Sequence, residues 1–203
     1  MKKINLIIVG ILATLVGLYP IIYFFVDRKF GLLSSKSAEL LSNNFWNIAF
    51  YGHIIFGGLA LLVGWLQFSN RLLLKNMKLH RAIGKIYLVS VLISGICGLV
   101  ISFYATGGII SALGFFSLGV TWLSTTILGF KSIKIGNVQM HEKFMIFSYA
   151  ACFSAVTLRI WLPILIGILG NFNDAYRIVA WLSWVPNLMV AYIILRGNNL
   201  EKF

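Results

Sequence analysis

Acidic side chains are scarce in this chain: 5 Asp and Glu stand against 17 Lys and Arg among 203 residues, and charged residues make up only 11%. A composition this poor in charge and 60% hydrophobic excludes a soluble domain. No Asp or Glu lies within a hydrophobic run, so a basic residue inside such a run has no neutralising partner in its own segment. The composition therefore predicts an integral membrane protein.

The 2 cysteines and 3 prolines exclude further classes. Cys97 and Cys152 fall within apolar runs and have neither zinc-ligand spacing nor the CxxCH signature of covalent haem, so we interpret them as small packing residues. The chain also lacks a flavin or nicotinamide fingerprint. Pro163 and Pro186 lie inside apolar runs, and each predicts an interruption of its helix.

Six apolar stretches, each of roughly 18 to 26 residues, are long enough to cross a bilayer as helices. They show no alternation of polarity, which argues against a membrane barrel. The predicted fold is all-α, a single six-helix transmembrane domain over residues 1–203. Residues 27–44 form an outer loop with a short interfacial helix. The predicted spans are Ile4–Val26, Phe45–Phe68, Ile83–Tyr104, Ile109–Phe130, Phe144–Gly170 and Ile178–Leu195.

The basic residues set the predicted orientation. With the N-terminus inside, twelve of the 17 Lys and Arg fall in inner segments, four in outer segments and Arg159 within a span. By the positive-inside rule both termini face the cytoplasm, and the first span is an uncleaved signal anchor of a bacterial cytoplasmic membrane. The net charge of +12 then reflects contact with anionic lipids rather than with nucleic acid.

The three histidines divide between the two membrane sides. His80 and His141 open the third and fifth spans, so both lie at the cytoplasmic interface, whereas His53 lies in the outer half of the second span. Gly84 follows His80 by four residues and Gly57 follows His53 by four, and each leaves the same helix face clear, as a porphyrin held by a histidine requires. We expect His80 and His141 to ligate the iron of haem b. Interfacial hydrogen bonding of these two residues, and an interhelical hydrogen bond for His53, remain alternatives.

Arg159 lies in the middle of the run AACFSAVTLRIWLPILIGILG. A charged side chain within hydrocarbon is costly and normally marks a functional site. Counting along the helices places His53, Trp184 and Asn187 at the same depth as Arg159. We expect these four residues to line an outer cavity for a quinone headgroup, a lipid phosphate or a haem propionate. The alternatives are that the Arg159 guanidinium snorkels towards the headgroups or donates to carbonyls freed near Pro163.

Several motifs carry a resemblance to a known family. GHIIFGGLALLVGWLQF, LHRAIGKIYL, TWLSTTILGF, MHEKFMIFSYA, AVTLRIWLP and WLSWVPNL follow one another between Tyr51 and Tyr192. In residue types and order they resemble the predicted membrane proteins known as domain of unknown function 2306. The resemblance implies no agreed activity, but it implies that His53, His80, His141 and Arg159 match the family's motif positions.

A looser resemblance is to cytochrome b561 and related di-haem membrane proteins. It implies that His80 and His141 form one haem site, and the fourth span has no His or Met to pair with His53 for a second. Two functions stay open. The first is a small membrane oxidoreductase or electron carrier with one haem b and a quinone-like ligand. The second is a non-redox protein that binds, transports or senses an amphiphile, or an accessory subunit of a membrane complex.

Overall fold

The computed structural model describes residues 3–25 and 31–200, and within them the chain is helical and contains no strand. Short 3-10 turns cover Tyr19–Phe24, Gly31–Ser35 and Trp65–Phe68. The α-helices are α1 Lys3–Leu18, α2 Ala38–Ser42, α3 Asn44–Gly64, α4 Asn70–Lys75, α5 Met77–Ser102, α6 Ile109–Lys134, α7 Val138–Cys152, α8 Ser154–Leu169, α9 Phe172–Leu182 and α10 Val185–Leu200.

Six helical segments are long and apolar enough to cross a membrane, which confirms the predicted number of spans. They are Leu6–Phe24, Asn44–Phe68, Met77–Ser102, Ile109–Lys134, Val138–Leu169 and Phe172–Gly197. The third, fifth and sixth begin six residues earlier than predicted. Asn76, Asn137 and Asn171 explain this difference, because their side chains cap the helices by accepting the main-chain N–H groups of Leu79, Met140 and Asn173.

The two final spans are each interrupted, but only the sixth is interrupted next to its proline, as predicted. The expected break at Pro163 is wrong, since α8 continues through it from Ser154 to Leu169. The break in the fifth span lies at Phe153, between α7 and α8. In the sixth span it lies at Ser183 and Trp184, just before Pro186, which occupies the first turn of α10, where its missing N–H is tolerated.

Helices α3, α5, α6 and α7 form a four-helix core. Each packs against the next in this order and α3 also contacts α7, so α5 and α7 lie on a diagonal. Helix α1 packs against α3, α10 against α7, and α8 pairs with α9. The interior of the core is filled by the buried aromatic rings of Tyr87, Trp122 and Tyr149.

The segment between the first two spans contains the 3-10 turn Gly31–Ser35 and the short helix α2. Leu33 is buried against Trp46 and Phe50 at the start of α3. Lys36 connects the segment to the turn between α5 and α6 by hydrogen bonds. Its ammonium group donates to the carbonyl of Tyr104 and to Thr106 Oγ1. Burial lowers the pKa of Lys36 to about 8.

Candidate functional site

His80 and His141 occupy equivalent positions at the end of the bundle that the charge distribution assigns to the cytoplasm, called the inner end below. Each follows the Asn cap of its helix by four residues, and its main-chain N–H donates to that asparagine's carbonyl. Because the caps fix where α5 and α7 begin, both imidazoles lie one turn from their helix starts. The shared interface predicted for the two residues therefore has a local cause.

A buried hydrogen bond fixes the faces of these helices. Tyr87 Oη and Ser148 Oγ are 2.7 Å apart across the core, and each lies seven residues after one of the two histidines. Seven residues make nearly two helical turns, so the histidines lie on the same helix faces as this pair, two turns closer to the inner end. His80 and His141 are close enough for a charge on one ring to act on the other, as expected for side chains on these two faces.

The two imidazoles differ in their hydrogen bonding. His141 Nδ1 donates to the carbonyl of Gly129 at 2.9 Å, which leaves Nε2 with a free lone pair. Metal-bound histidines are usually oriented by such an outer hydrogen bond. His80 Nδ1 is buried and has no hydrogen-bond partner among the described residues. Two imidazoles, each with a nitrogen not used in a hydrogen bond, are the type of donor that haem iron takes.

The space beside Gly84 is less favourable for a porphyrin. A Cβ atom at Gly84 would lie 3.3 Å from Gln67 Oε1, so the glutamine side chain occupies the face that the sequence suggested was clear. Gln67 Nε2 is itself buried without a partner among the described residues. A porphyrin edge would fit here only if the flexible Gln67 side chain moved aside.

His53 forms the interhelical hydrogen bond that was one of its two interpretations. Its Nδ1 donates to the carbonyl of Ser94 at 2.9 Å, and Ser94 Oγ donates to the carbonyl of His53 at 2.8 Å. The ring lies against Gly98, where a Cβ atom would come within 2.9 Å of Nδ1. Gly57, one turn along from His53, faces Ser94 instead of an open slot. His53 therefore joins α3 to α5 through one nitrogen and keeps Nε2 as an acceptor.

Arg159 lies on α8, ten residues before its end at Leu169, which is about 15 Å along the helix. Its guanidinium stacks on the ring of Tyr19, with Cζ 4.5 Å from the ring centroid, and one terminal nitrogen donates to the carbonyl of Ala155 at 2.8 Å. The Nε atom is buried and has no partner among the described residues. The guanidinium is therefore incompletely satisfied.

The surroundings of Arg159 are aromatic rather than acidic. Tyr23 and His53 lie within electrostatic range of its charge, and the Tyr23 ring meets the Tyr19 ring edge-on at 5.8 Å. Within residues 3–25 and 31–200 the guanidinium forms no ion pair with a carboxylate. Asp27, close in sequence to Tyr23, lies outside the described residues.

Trp184 and Asn187 do not join this cluster. The Asn187 amide donates to Ala150 O, Thr157 Oγ1 and Ser183 O at 3.0 to 3.2 Å, and Trp184 Nε1 donates to Ala180 O. Thr157 precedes Arg159 by two residues, and residues two apart point to nearly opposite sides of a helix. The structure thus separates the four residues that were expected to line one cavity into two groups on opposite sides of α8.

Three of the residues that shape these sites were not singled out from the sequence: Tyr19, Tyr23 and Gln67. The signal for Tyr19 and Tyr23 was their spacing of four residues near the end of the first span, which places both on one helix face. Gln67 was detectable as a polar residue in the run LLVGWLQF. Which helix each of them faces depends on packing and could not be inferred.

These features define a multi-pass membrane protein with polar groups buried at both ends of a helix bundle. The chain belongs to the family described as predicted membrane protein (DUF2306), whose model matches residues 50–195. The resemblance drawn from the motifs is therefore confirmed. Comparison with curated proteins and with solved structures finds no match. The resemblance to cytochrome b561 gains no support from these comparisons.

Proposed function

We propose that the protein binds an anionic amphiphile in the outer half of the membrane, with Arg159 as the anchor of its headgroup. The observation that carries this proposal is the incompletely satisfied guanidinium of Arg159 inside a membrane-spanning helix. The proposal corresponds to the second of the two functions left open by the sequence, and it requires no redox step.

The energetics favour a bound anion. An arginine at the centre of a spanning helix costs about 2.5–3.5 kcal/mol on insertion scales. A cation–π contact such as that with Tyr19 contributes roughly 0.5–2 kcal/mol, and a buried N–H without a partner costs about 1–3 kcal/mol. An anion would offset the charge and accept from the unpaired Nε–H at the same time. The contacts that the described residues make with the guanidinium stabilise its charge in part and leave the Nε–H without an acceptor.

The donors indicate the chemical class of the ligand. The guanidinium offers a planar fork that matches a carboxylate or phosphate, and the neighbouring tyrosine hydroxyl groups add neutral polar contacts. A quinone carbonyl would accept a hydrogen bond but would leave the positive charge uncompensated. A fatty-acid carboxylate or a phospholipid phosphate supplies both, and its chains would lie along the exposed outer surface of α8 at Ile160 and Ile164.

His53 has a supporting role in this proposal. Its Nδ1 is used by Ser94, so the ring orientation is fixed and Nε2 remains an acceptor. An acceptor at this position favours a protonated headgroup oxygen or a bridging water over a second anionic oxygen. We therefore expect His53→Ala to weaken ligand binding less than loss of Arg159 does.

The experiment measures binding of cis-parinaric acid and of fluorescent phosphatidylglycerol to the purified, delipidated protein. We expect Arg159→Lys to weaken binding about tenfold or more, because the ammonium keeps the charge but loses the fork. Arg177→Lys is the matched control, since Arg177 is also in the outer half but is exposed and already pairs with Asp174. Decylubiquinone serves as the neutral probe.

Two outcomes would contradict the proposal. One is unchanged affinity for both anionic probes in Arg159→Gln. The other is an Asp27→Asn variant that loses as much stability as Arg159→Gln while neither variant changes ligand affinity, because this result identifies Asp27 as a structural counter-ion. Binding of decylubiquinone that exceeds that of both anions would reject the anionic class.

A second candidate function, an electron carrier with one haem b, is favoured by a separate observation. His80 and His141 face the same region of the bundle interior from diagonal helices, and His141 Nδ1 is oriented by the Gly129 carbonyl. These two residues would hold the iron, Gly84 would lie against the porphyrin edge, and Gln67 would move aside. Bound haem would supply one-electron chemistry, with a quinone as the partner in the membrane.

The test of this candidate is the absorption spectrum of protein from haem-replete cells, oxidised and then reduced with dithionite. A bis-histidine haem gives a sharp reduced α-band. We expect His80→Ala and His141→Ala each to abolish this band and His53→Ala to preserve it. A colourless preparation would exclude the candidate.

A further inference from the structure

The short helix α4, Asn70–Lys75, connects the second and third spans at the inner end of the bundle. A shallow depression of ≈ 270 Å³ lies along one of its faces and is lined by Ser69, Arg71, Leu72, Lys75 and Asn76. Arg71 and Lys75 are four residues apart, so they lie on the same face of the helix. The depression uses none of the residues around Arg159, and it shares only Asn76, the cap of α5, with the surroundings of the histidine pair.

The polar groups that line this depression are predominantly hydrogen-bond donors. Arg71 and Lys75 are cationic and have no acceptor atoms in their side chains. Asn76 Oδ1 is used as the cap of α5, where it accepts from Leu79 N, so its amide nitrogen is the group left for a ligand. Ser69 Oγ accepts from Leu72 N and keeps its hydroxyl proton available. The lining surface is predominantly apolar, contains no carboxylate and carries two cationic residues, so it is suited to an anion that also has apolar chains.

Apolar side chains adjoin these donors. Leu74 is 83% exposed, and Met77, at the start of the third span, is 44% exposed. Because α4 lies between two membrane spans, these side chains are at the level where acyl chains meet headgroups. A soluble anion would contact only the basic residues. A phospholipid would contact the basic residues with its phosphate and the apolar residues with its chains.

We propose that this α4 depression binds the headgroup of an anionic phospholipid of the inner leaflet, with Arg71 and Lys75 on the phosphate and Leu74 and Met77 against the acyl chains. The site adds a second lipid contact at the opposite end of the protein from Arg159. It gives a definite location to the contact with anionic lipids that the overall basic charge suggests.

The experiment is native mass spectrometry of the full-length protein released from micelles that contain equal amounts of phosphatidylglycerol and phosphatidylcholine. We expect the wild type to retain phosphatidylglycerol selectively. The double variant Arg71→Gln, Lys75→Gln should lower this retention on the order of tenfold. Lys131→Gln, Lys134→Gln is the matched control, since it removes the same charge from the inner end of α6 and should retain most of the selectivity.

Further arms identify the ligand and separate binding from folding. The swap Arg71→Lys, Lys75→Arg keeps the charge and should preserve retention, which distinguishes loss of the site from loss of the fold. Leu74→Gln should weaken lipid retention, because the proposal places the acyl chains against Leu74. Equal losses in the α4 and α6 double variants would overturn the proposal. So would equal retention of the two lipids, or displacement of phosphatidylglycerol by millimolar inorganic phosphate.

Discussion

At position 98 of α5, the lack of a side chain leaves room for the His53 ring. The His53 ring can reach the Ser94 carbonyl only because the residue one turn after Ser94 on α5 is a glycine. The sequence directed attention to Gly57, which follows His53 on the same helix, because spacing within one helix is all that a sequence displays. The clearance for His53 comes from the neighbouring helix.

We predict that Gly98→Val destabilises the protein by about 1–3 kcal/mol, because the added methyl groups overlap the His53 imidazole and break its bond to Ser94. Gly167→Val is the control, since no atom lies within 4 Å of a Cβ placed at Gly167. Thermal unfolding in one detergent measures both variants. Equal stability of the two variants would contradict the observed packing of His53.

The inner histidines show how much a residue's position can be inferred locally. The direction of the odd-numbered spans predicted that both histidines lie at the same interface. The asparagine caps add that each histidine lies four residues after the cap of its helix. The hydrogen-bond partners of the two rings differ. His141 Nδ1 donates to the Gly129 carbonyl, whereas His80 Nδ1 has no partner among the described residues. That difference depends on which helix lies beside each ring and has no counterpart in the two sequence motifs.

At the scale of helices, the breaks in the fifth and sixth spans lie side by side. Thr157 Oγ1 donates to the Ser183 carbonyl, and the Asn187 amide reaches Ala150, Thr157 and Ser183. Backbone carbonyls freed by broken helices are tolerated in a membrane only where protein or water satisfies them. Asn187 therefore acts as a bridge between two interrupted helices, in place of the ligand-binding role predicted from its depth.

We predict that Asn187→Leu lowers the free energy of unfolding by about 1–3 kcal/mol, since it leaves buried carbonyls with fewer donors. Asn173→Leu is the matched control, because the Asn173 side chain is exposed at the start of α9. Measured ligand affinity at the Arg159 site should change little in either variant. If Asn187→Leu caused a large loss of ligand binding with unchanged stability, this result would support the ligand-binding role and contradict the structural one.

At the scale of the whole molecule, the charge distribution makes a prediction about orientation. In a background of Cys97→Ala and Cys152→Ala, a cysteine at Ser35 should react with an impermeant thiol reagent in intact cells. A cysteine at Asn198 should be protected, because the positive-inside rule places both termini in the cytoplasm. Permeabilised cells provide the control for the second position. If only the cysteine at position 198 were labelled in intact cells, the predicted orientation would be wrong.

The sequence by itself determined the number of spans, their approximate limits and the family. Hydrophobic length is a property of each segment alone, because every spanning segment must satisfy its own backbone in lipid. The six predicted spans therefore match six helical segments. The largest differences in their limits, the early starts of the third, fifth and sixth spans, come from polar first turns that asparagine caps make helical.

Only the tertiary structure decided which polar residues meet. The sequence placed Arg159, Asn187 and Trp184 within spans, as the helical segments confirm, but depth fixes one coordinate and leaves rotation about each helix undetermined. The rotation of α8 directs Arg159 towards Tyr19 and directs Thr157, two residues earlier, towards Asn187. It is set by the packing of α8 between α1 and α9 after the break at Phe153, which depends on contacts between residues distant in the chain.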